Sequence, residues 1–124
     1  MAALEREIVS IAIPANADLS ASQFRIAVVN SSEKAAIAAA ATAKIIGVLY
    51  NKPAAADVAA QIAISGVARV TAGGVVAAGD LLTSDANGKA IATTTTGNVL
   101  IGRALTAGAD TQLIEVLLFP GTVL

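Results

Sequence analysis

The chain has 124 residues, with 8 Lys plus Arg against 9 Asp plus Glu for a net charge of −1, and it contains no cysteine and no histidine. That excludes a disulfide framework and a thiolate metal site, and removes the commonest general base and the commonest metal ligand. Near-neutrality with two Phe, one Tyr and no Trp lacks the basic stripe and stacking platforms of a nucleic-acid binder.

The hydrophobic fraction of 56% is swollen by alanine. Its longest apolar-looking run, Ala35 to Tyr50, is interrupted by Thr42 and Lys44 and falls short of the roughly 20 residues a spanning helix needs. Glu5, Arg6 and Glu7 stand where a signal peptide would have an apolar core. A protein made in the cytosol, with no membrane partner, is expected. With only 14% charged residues, part of its surface is expected to be covered by partners.

Residues 1–23 differ from the rest. Ile8, Val9, Ile11 and Ile13 make an apolar stretch, Pro14 blocks a continuing ladder, and Asn16, Asp18, Ser20 and Ser22 favour loop. They predict an extended arm, because a free tail gains nothing from four β-branched residues. Whether the arm pairs with its own domain or with another molecule stays open at this stage.

From residue 24 to 124 the chain reads as one β-domain of short strands. Phe24–Val29 precedes the polar turn Asn30–Glu33, and Ile45–Tyr50 stops at Asn51-Lys52-Pro53. Gln61–Ile64 ends at Ser65-Gly66, and Val67–Val70 ends at Ala72-Gly73-Gly74. Asp80–Thr83 runs into Asp85–Gly88, and Lys89–Thr93, Asn98–Leu105 and Gln112–Phe119 complete the set. Strands of this length with Gly, Asn and Asp punctuation predict an all-β fold, a compact small barrel or sandwich of antiparallel strands. Asn87-Gly88 is the strongest hairpin signal, since both residues tolerate positive φ, and Gly73-Gly74 marks another turn.

"KAAIAAAATAKI" and "NKPAAADVAAQI" are rich in helix formers. Neither shows a wide stripe of large apolar residues, so at most one helical turn is expected, near Ala40–Lys44 or Ala54–Ala60. An internal echo accompanies the first: "KAAIAAAATAKIIGVLY" from Lys34 lies over "KAIATTTTGNVLIGRAL" from Lys89, 55 positions on, with Ile46-Gly47 over Ile101-Gly102. A strand–turn–strand–Gly-strand–turn–strand unit used twice would build a two-lobed barrel.

Little in the chain suggests chemistry. Gly73, Gly74 and Gly79 are not followed by a Gly-Lys-Ser/Thr or spaced as GxGxxG. Asp80, Asp85 and Asp110 stand in turn-like contexts, where aspartate caps the local backbone, and Ser65 has no histidine base in the chain. No catalytic, cofactor-binding or metal-binding residue is therefore assigned. Arg69 and Arg103, each flanked by apolar strand residues, are candidates for a seam between molecules, where arginine is enriched.

The run from Ile45 to Leu118 resembles the small capsid decoration, or cement, proteins of tailed bacteriophages. The residues that carry the likeness are "IIGVLYNKPAAADVAAQIAISGVARVTAGGVVAAGDLLTSDANGKAI" and "VLIGRALTAGADTQLIEVLL". The resemblance implies a compact β-domain that forms a homotrimer, binds the major capsid protein on the exterior of the assembled virion and stabilises the shell. It implies assembly in the host cytoplasm, no enzyme activity, no cofactor and no small-molecule substrate. The poverty of aromatic residues leaves contacts to aliphatic side chains, arginine, Phe24, Tyr50 and Phe119. The candidate interface is thus Ile8, Val9, Ile11, Ile13, Arg69, Arg103 and Phe119. Two other readings stay open: another β-type virion component, such as a head-fibre base or tail adapter, and a small β-barrel enzyme or ligand-binding domain.

Overall fold

The computed structural model describes residues 7–124; the first six residues of the expected arm lie outside the described residues. The fold is all-β: β1 (Ile8–Pro14), β2 (Ile26–Val29), β3 (Ala35–Ile37), β4 (Ile45–Leu49), β5 (Ala59–Thr71), β6 (Leu81–Ser84), β7 (Ala90–Ala92), β8 (Val99–Ala104) and β9 (Leu113–Val123). They join in one curled antiparallel sheet of order β3-β2-β4-β5-β9-β8-β6-β7, with β1 added to β5.

That order reads the same way inward from both ends, because the chain folds the same unit twice. Ala27 faces Ile37 across β2–β3, and Leu82 faces Ala92 across β6–β7. Ala27 faces Gly47 across β2–β4, and Leu82 faces Gly102 across β6–β8. Each pair is 55 residues from its counterpart, the spacing of the sequence echo. Loop hydrogen bonds repeat as well. The Phe24 amide donates to the Leu49 carbonyl at 2.6 Å, as Gly79 does to Ala104 at 2.7 Å. The Asp57 amide donates to the Ala15 carbonyl at 2.8 Å, as Thr111 does to Ala72 at 2.8 Å.

The second of these correspondences places the arm. Ala15 is to the first unit what Ala72 is to the second, so β1 is the counterpart of the last half of β5. β1 lies antiparallel along β5 of its own chain, from Ile8 opposite Gly66 to Pro14 opposite Ala59. β9 pairs with the rest of β5 on the opposite edge, the one β4 also uses, so that Gly66 lies between Ile8 and Leu118. The long β5 therefore closes the first unit against β1 and opens the second against β9.

Gly66 is where the partner changes. Ser65-Gly66 does not turn the chain, as its composition suggested. β5 runs straight through it, and the register shift between Ser10 opposite Ala63 and Val9 opposite Ser65 leaves Ile64 as an extra residue. Gly66 has φ of 96°, and a Cβ there would collide with the Glu7 carbonyl. Only glycine allows both the conformation and the close approach.

The alanine-rich segments also differ from their local propensity. No helical turn forms at Ala40–Lys44 or Ala54–Ala60; the first is bend and turn, and the second passes from a turn into the start of β5. Ala35–Ile37 is strand β3, because Ala35 and Ala36 pair with Val29 and Val28 and tertiary pairing outweighs intrinsic preference. Alanine is used for close packing: Ala15, Ala35 and Ala60 are fully buried with Leu49 and Ile62 in a small core. Their counterparts Ala72, Ala90, Ile114, Ala104 and Val116 belong to the larger core, which also takes in Ile26, Val48, Leu82 and Ile101. Two glycines set the strand spacing in both units. A Cβ at Gly47 would strike the Ala63 carbonyl, and one at Gly102 the Leu117 carbonyl.

Candidate functional site

The surface is best read from the strands outward. β1 carries Val9, 57% exposed, and Ile11, 41% exposed, while Ile8 and Ile13 are half-buried against the two cores. Val9 and Ile11 are thus held outward on a paired strand. Elsewhere Val75 is 85% exposed and Val123 63%. These are large apolar side chains turned outward, the kind that contacts between proteins use.

Arg69 stands exposed on β5, opposite Glu115 of β9. Beside it a hollow of about 310 Å³ is lined by Ile8, Phe24, Tyr50 and Val67 as well as by Arg69 and Glu115. The Phe24 and Tyr50 rings meet edge to face at 5.2 Å and 87°, and the Arg69 amide donates to the Tyr50 hydroxyl at 2.6 Å. Of the residues expected at a seam, the hollow unites Ile8 and Arg69.

Arg103 lies apart, on β8. Its guanidinium donates to the Gly79 carbonyl at 2.7 Å and borders a second groove, of about 370 Å³, with Leu81, Ala92, Thr93 and Thr94. Phe119 joins neither group; it is half-buried in β9, where Phe119, Pro120 and Gly121 form an irregularity between Leu118 opposite Gly102 and Thr122 opposite Leu100.

The β6–β7 turn is built by Asp85, whose carboxylate accepts the amides of Asn87 and Lys89 at 2.8 and 2.9 Å. Asn87 keeps a negative φ, and only Gly88 is left-handed, at 74°, as in a type I turn closed by a glycine bulge. Gly73 is packed tightly, 2.9 Å from a hypothetical Cβ to the Lys89 side chain, whereas Gly74 faces open space. The β2–β3 turn copies this plan with Asn30, which accepts the amides of Ser32 and Lys34 at 3.0 Å each. Here the left-handed position is Glu33, at φ 64°. Sequence reading passed over Glu33, although its place in the 55-residue echo puts it opposite Gly88.

Polar chemistry is sparse. Among the described residues no three Asp or Glu side chains gather into a metal-holding group. The ion pairs Lys34–Asp57, at 2.6 Å, and Lys89–Asp110, at 3.7 Å, lie at the surface, where such pairs add little. Asp18 is held below the usual carboxylate range by the Ser20 hydroxyl and amide that donate to it, a local loop cap.

Comparison with known proteins agrees with this shape. A family model described as phage cement protein matches residues 5–118, which spans both units. Among solved structures, the head fiber gp8.5 N base of bacteriophage phi29 is similar with a TM-score of 0.69 at 19% sequence identity, over 91% of this chain and 95% of that one. At that identity the likeness is one of fold. No curated protein matches the chain.

Proposed function

We propose, from the premise that the chain belongs to the phage cement protein family, that it binds the exterior of an assembled capsid as a homotrimer and stabilises the shell. Family membership itself makes it a structural, capsid-associated component of the virion. The observation that carries the finer reading is the surface: apolar side chains such as Val9, Ile11 and Val123 stand outward on paired strands. Such side chains lose little conformational entropy on contact. No catalytic role is proposed.

The mechanism is mass action. A protein that binds the assembled lattice and not the free subunit stabilises the lattice by about 2.7 kcal/mol per site when present at a hundred times its dissociation constant. Linking three such sites in one trimer multiplies their effect through high effective concentration. Summed over a closed shell, weak contacts resist the internal pressure of packaged nucleic acid.

The base of a head fibre is the second reading, favoured by the fold shared with the head fiber N base. One experiment separates the two. Purified chain is added to expanded capsids and to free major capsid protein, and the particles are imaged by cryo-microscopy. Cement predicts binding to capsids alone, density in three-fold clusters over the lattice, and capsids that release their contents at a higher temperature. A fibre base predicts density only at the foot of a projection, and binding to neither partner overturns both readings.

A further inference from the structure

The two units are alike in backbone but unlike in what they receive. In the first, the β6–β7 turn of the second unit docks into a groove between Phe24–Ile26 and Ile37–Ala39. The Ile26 amide donates to the Gly88 carbonyl at 2.7 Å, and the Arg25 guanidinium reaches the Asn87 carbonyl at 3.3 Å. A Cβ on Gly88 would run into Cγ2 of Ile37 and lie 3.2 Å from the Ile26 carbonyl oxygen. The fit needs glycine.

Moved 55 residues on, that groove becomes the one between Gly79–Leu81 and Ala92–Thr94, bordered by Arg103. No turn among the described residues fills it, and about 370 Å³ stands open. The turn that is the counterpart of Asp85–Gly88 is Asn30–Glu33, with the same hydrogen bonds and the same left-handed fourth residue. Its tip, Ser31 to Glu33, is exposed.

We propose that the Asn30–Glu33 turn of one copy docks into the Leu81–Ala92–Arg103 groove of a second copy, repeating between molecules the contact that Gly88 makes within one. Three features of the pair are complementary. Ile37, whose Cγ2 excludes a Cβ from the internal site, is replaced by Ala92, which has no Cγ2; Gly88 is replaced by Glu33, which has a Cβ. Val48, buried in the first unit, is replaced by exposed Arg103, a cation facing the position of the Glu33 carboxylate. The Leu81 amide takes the place of the Ile26 amide in the groove wall. Turn and groove are different surfaces, so the contact is head to tail and closes into a ring when its rotation allows.

This inference rests on the self-association part of the proposed function and not on capsid binding. The test uses the full chain, which has no cysteine of its own. A Glu33→Cys chain is mixed with an Ala92→Cys chain under mild oxidation, with one variant carrying a mass tag, while sedimentation of the wild type reports its oligomeric state. The expected result is a disulfide-linked dimer of one tagged and one untagged chain, in excess over either homodimer. In a second arm, Glu33→Arg and Arg103→Glu each weaken self-association by about tenfold through like-charge contact, and the two together in one chain restore it. An oligomeric wild type with no mixed disulfide overturns this contact and leaves the homotrimer standing. So does unchanged association of both single charge variants. A wild type that sediments as a monomer throughout overturns both.

Discussion

The first unit buries what the second leaves open. Val48 lies under the curled sheet, and its counterpart Arg103 lies in solvent. Phe24 and Tyr50 meet edge to face beside β5, and their counterparts Gly79 and Leu105 are exposed. Ile37 closes over Gly88, and Ala92 lines a groove that no turn among the described residues enters. Yet the hydrogen bonds of the two backbones match to about a tenth of an ångström at the Phe24–Leu49 and Gly79–Ala104 closures. The scaffold is therefore set by backbone pairing and by a few glycines and alanines at close approaches. Side chains outside those points are free to differ, and the differences make one unit a core and the other a surface.

The most severe way to break the comparison is to remove the strand that makes the first unit whole. Deleting residues 1–14 takes away β1, strips the first part of β5 along one edge and exposes the Ala15, Leu19 and Ile62 cluster on which Ile13 packs. Losing burial of Ile8 and Ile13 alone is worth on the order of 3 kcal/mol, out of a usual total of roughly 5–15. The truncated chain is expected to melt early and to lose hydrogen-exchange protection in β4 and β5 before β8 and β9. Unchanged melting and exchange would mean that β1 adds nothing to the fold and serves other molecules.

Gly47→Ala and Gly102→Ala sharpen the comparison. Each places a methyl group against a carbonyl of the neighbouring strand, at Ala63 in one unit and Leu117 in the other. Overpacking of this kind is expected to cost about 2–3 kcal/mol, nearly equally in both, as read by urea denaturation. Gly97→Ala is the control: its φ is 96°, but nothing lies within 4 Å of the added carbon, so only the backbone term of about 1–2 kcal/mol applies. A large difference between the Gly47 and Gly102 variants would show that the units are not equivalent in energy.

Much of this fold was legible in the sequence for a simple reason: strands and turns alternate at short range, and the second unit repeats the first at a fixed offset. Ile46-Gly47 over Ile101-Gly102 repeats along the chain the two glycines at which neighbouring strands approach closely. What failed was whatever depends on a distant partner. Ala35–Ile37 has the local character of a helix and becomes a strand only because Val28 and Val29 lie beside it. Ser65-Gly66 has the composition of a turn, but Glu7 and Leu118 approach from outside and hold the chain extended. The groove at Arg103 was hidden for the same reason, since the residues that line it come from three strands, the loop before β6 and the loop after β7.

The smallest expected effect separates stability from assembly at a single residue. Glu33 holds φ at 64° in the position that the second unit gives to Gly88. A side chain there costs about 1–2 kcal/mol relative to the right-handed region, and part of that returns when glycine replaces it, offset by the greater freedom of glycine in the unfolded chain. Glu33→Gly is therefore expected to raise stability by up to about 1 kcal/mol, read as a slightly higher urea midpoint with an unchanged slope. The same substitution removes both the carboxylate opposite Arg103 and the Cβ that Ala92 leaves room for, so self-association should fall. If the chain becomes more stable and associates less, the strained glutamate is held for contact between copies. If stability rises while association is untouched, Glu33 is merely an imperfect copy of Gly88. The converse change, Gly88→Ala, is expected to destabilise more than Glu33→Gly stabilises, because the added methyl meets Ile37 in the occupied groove.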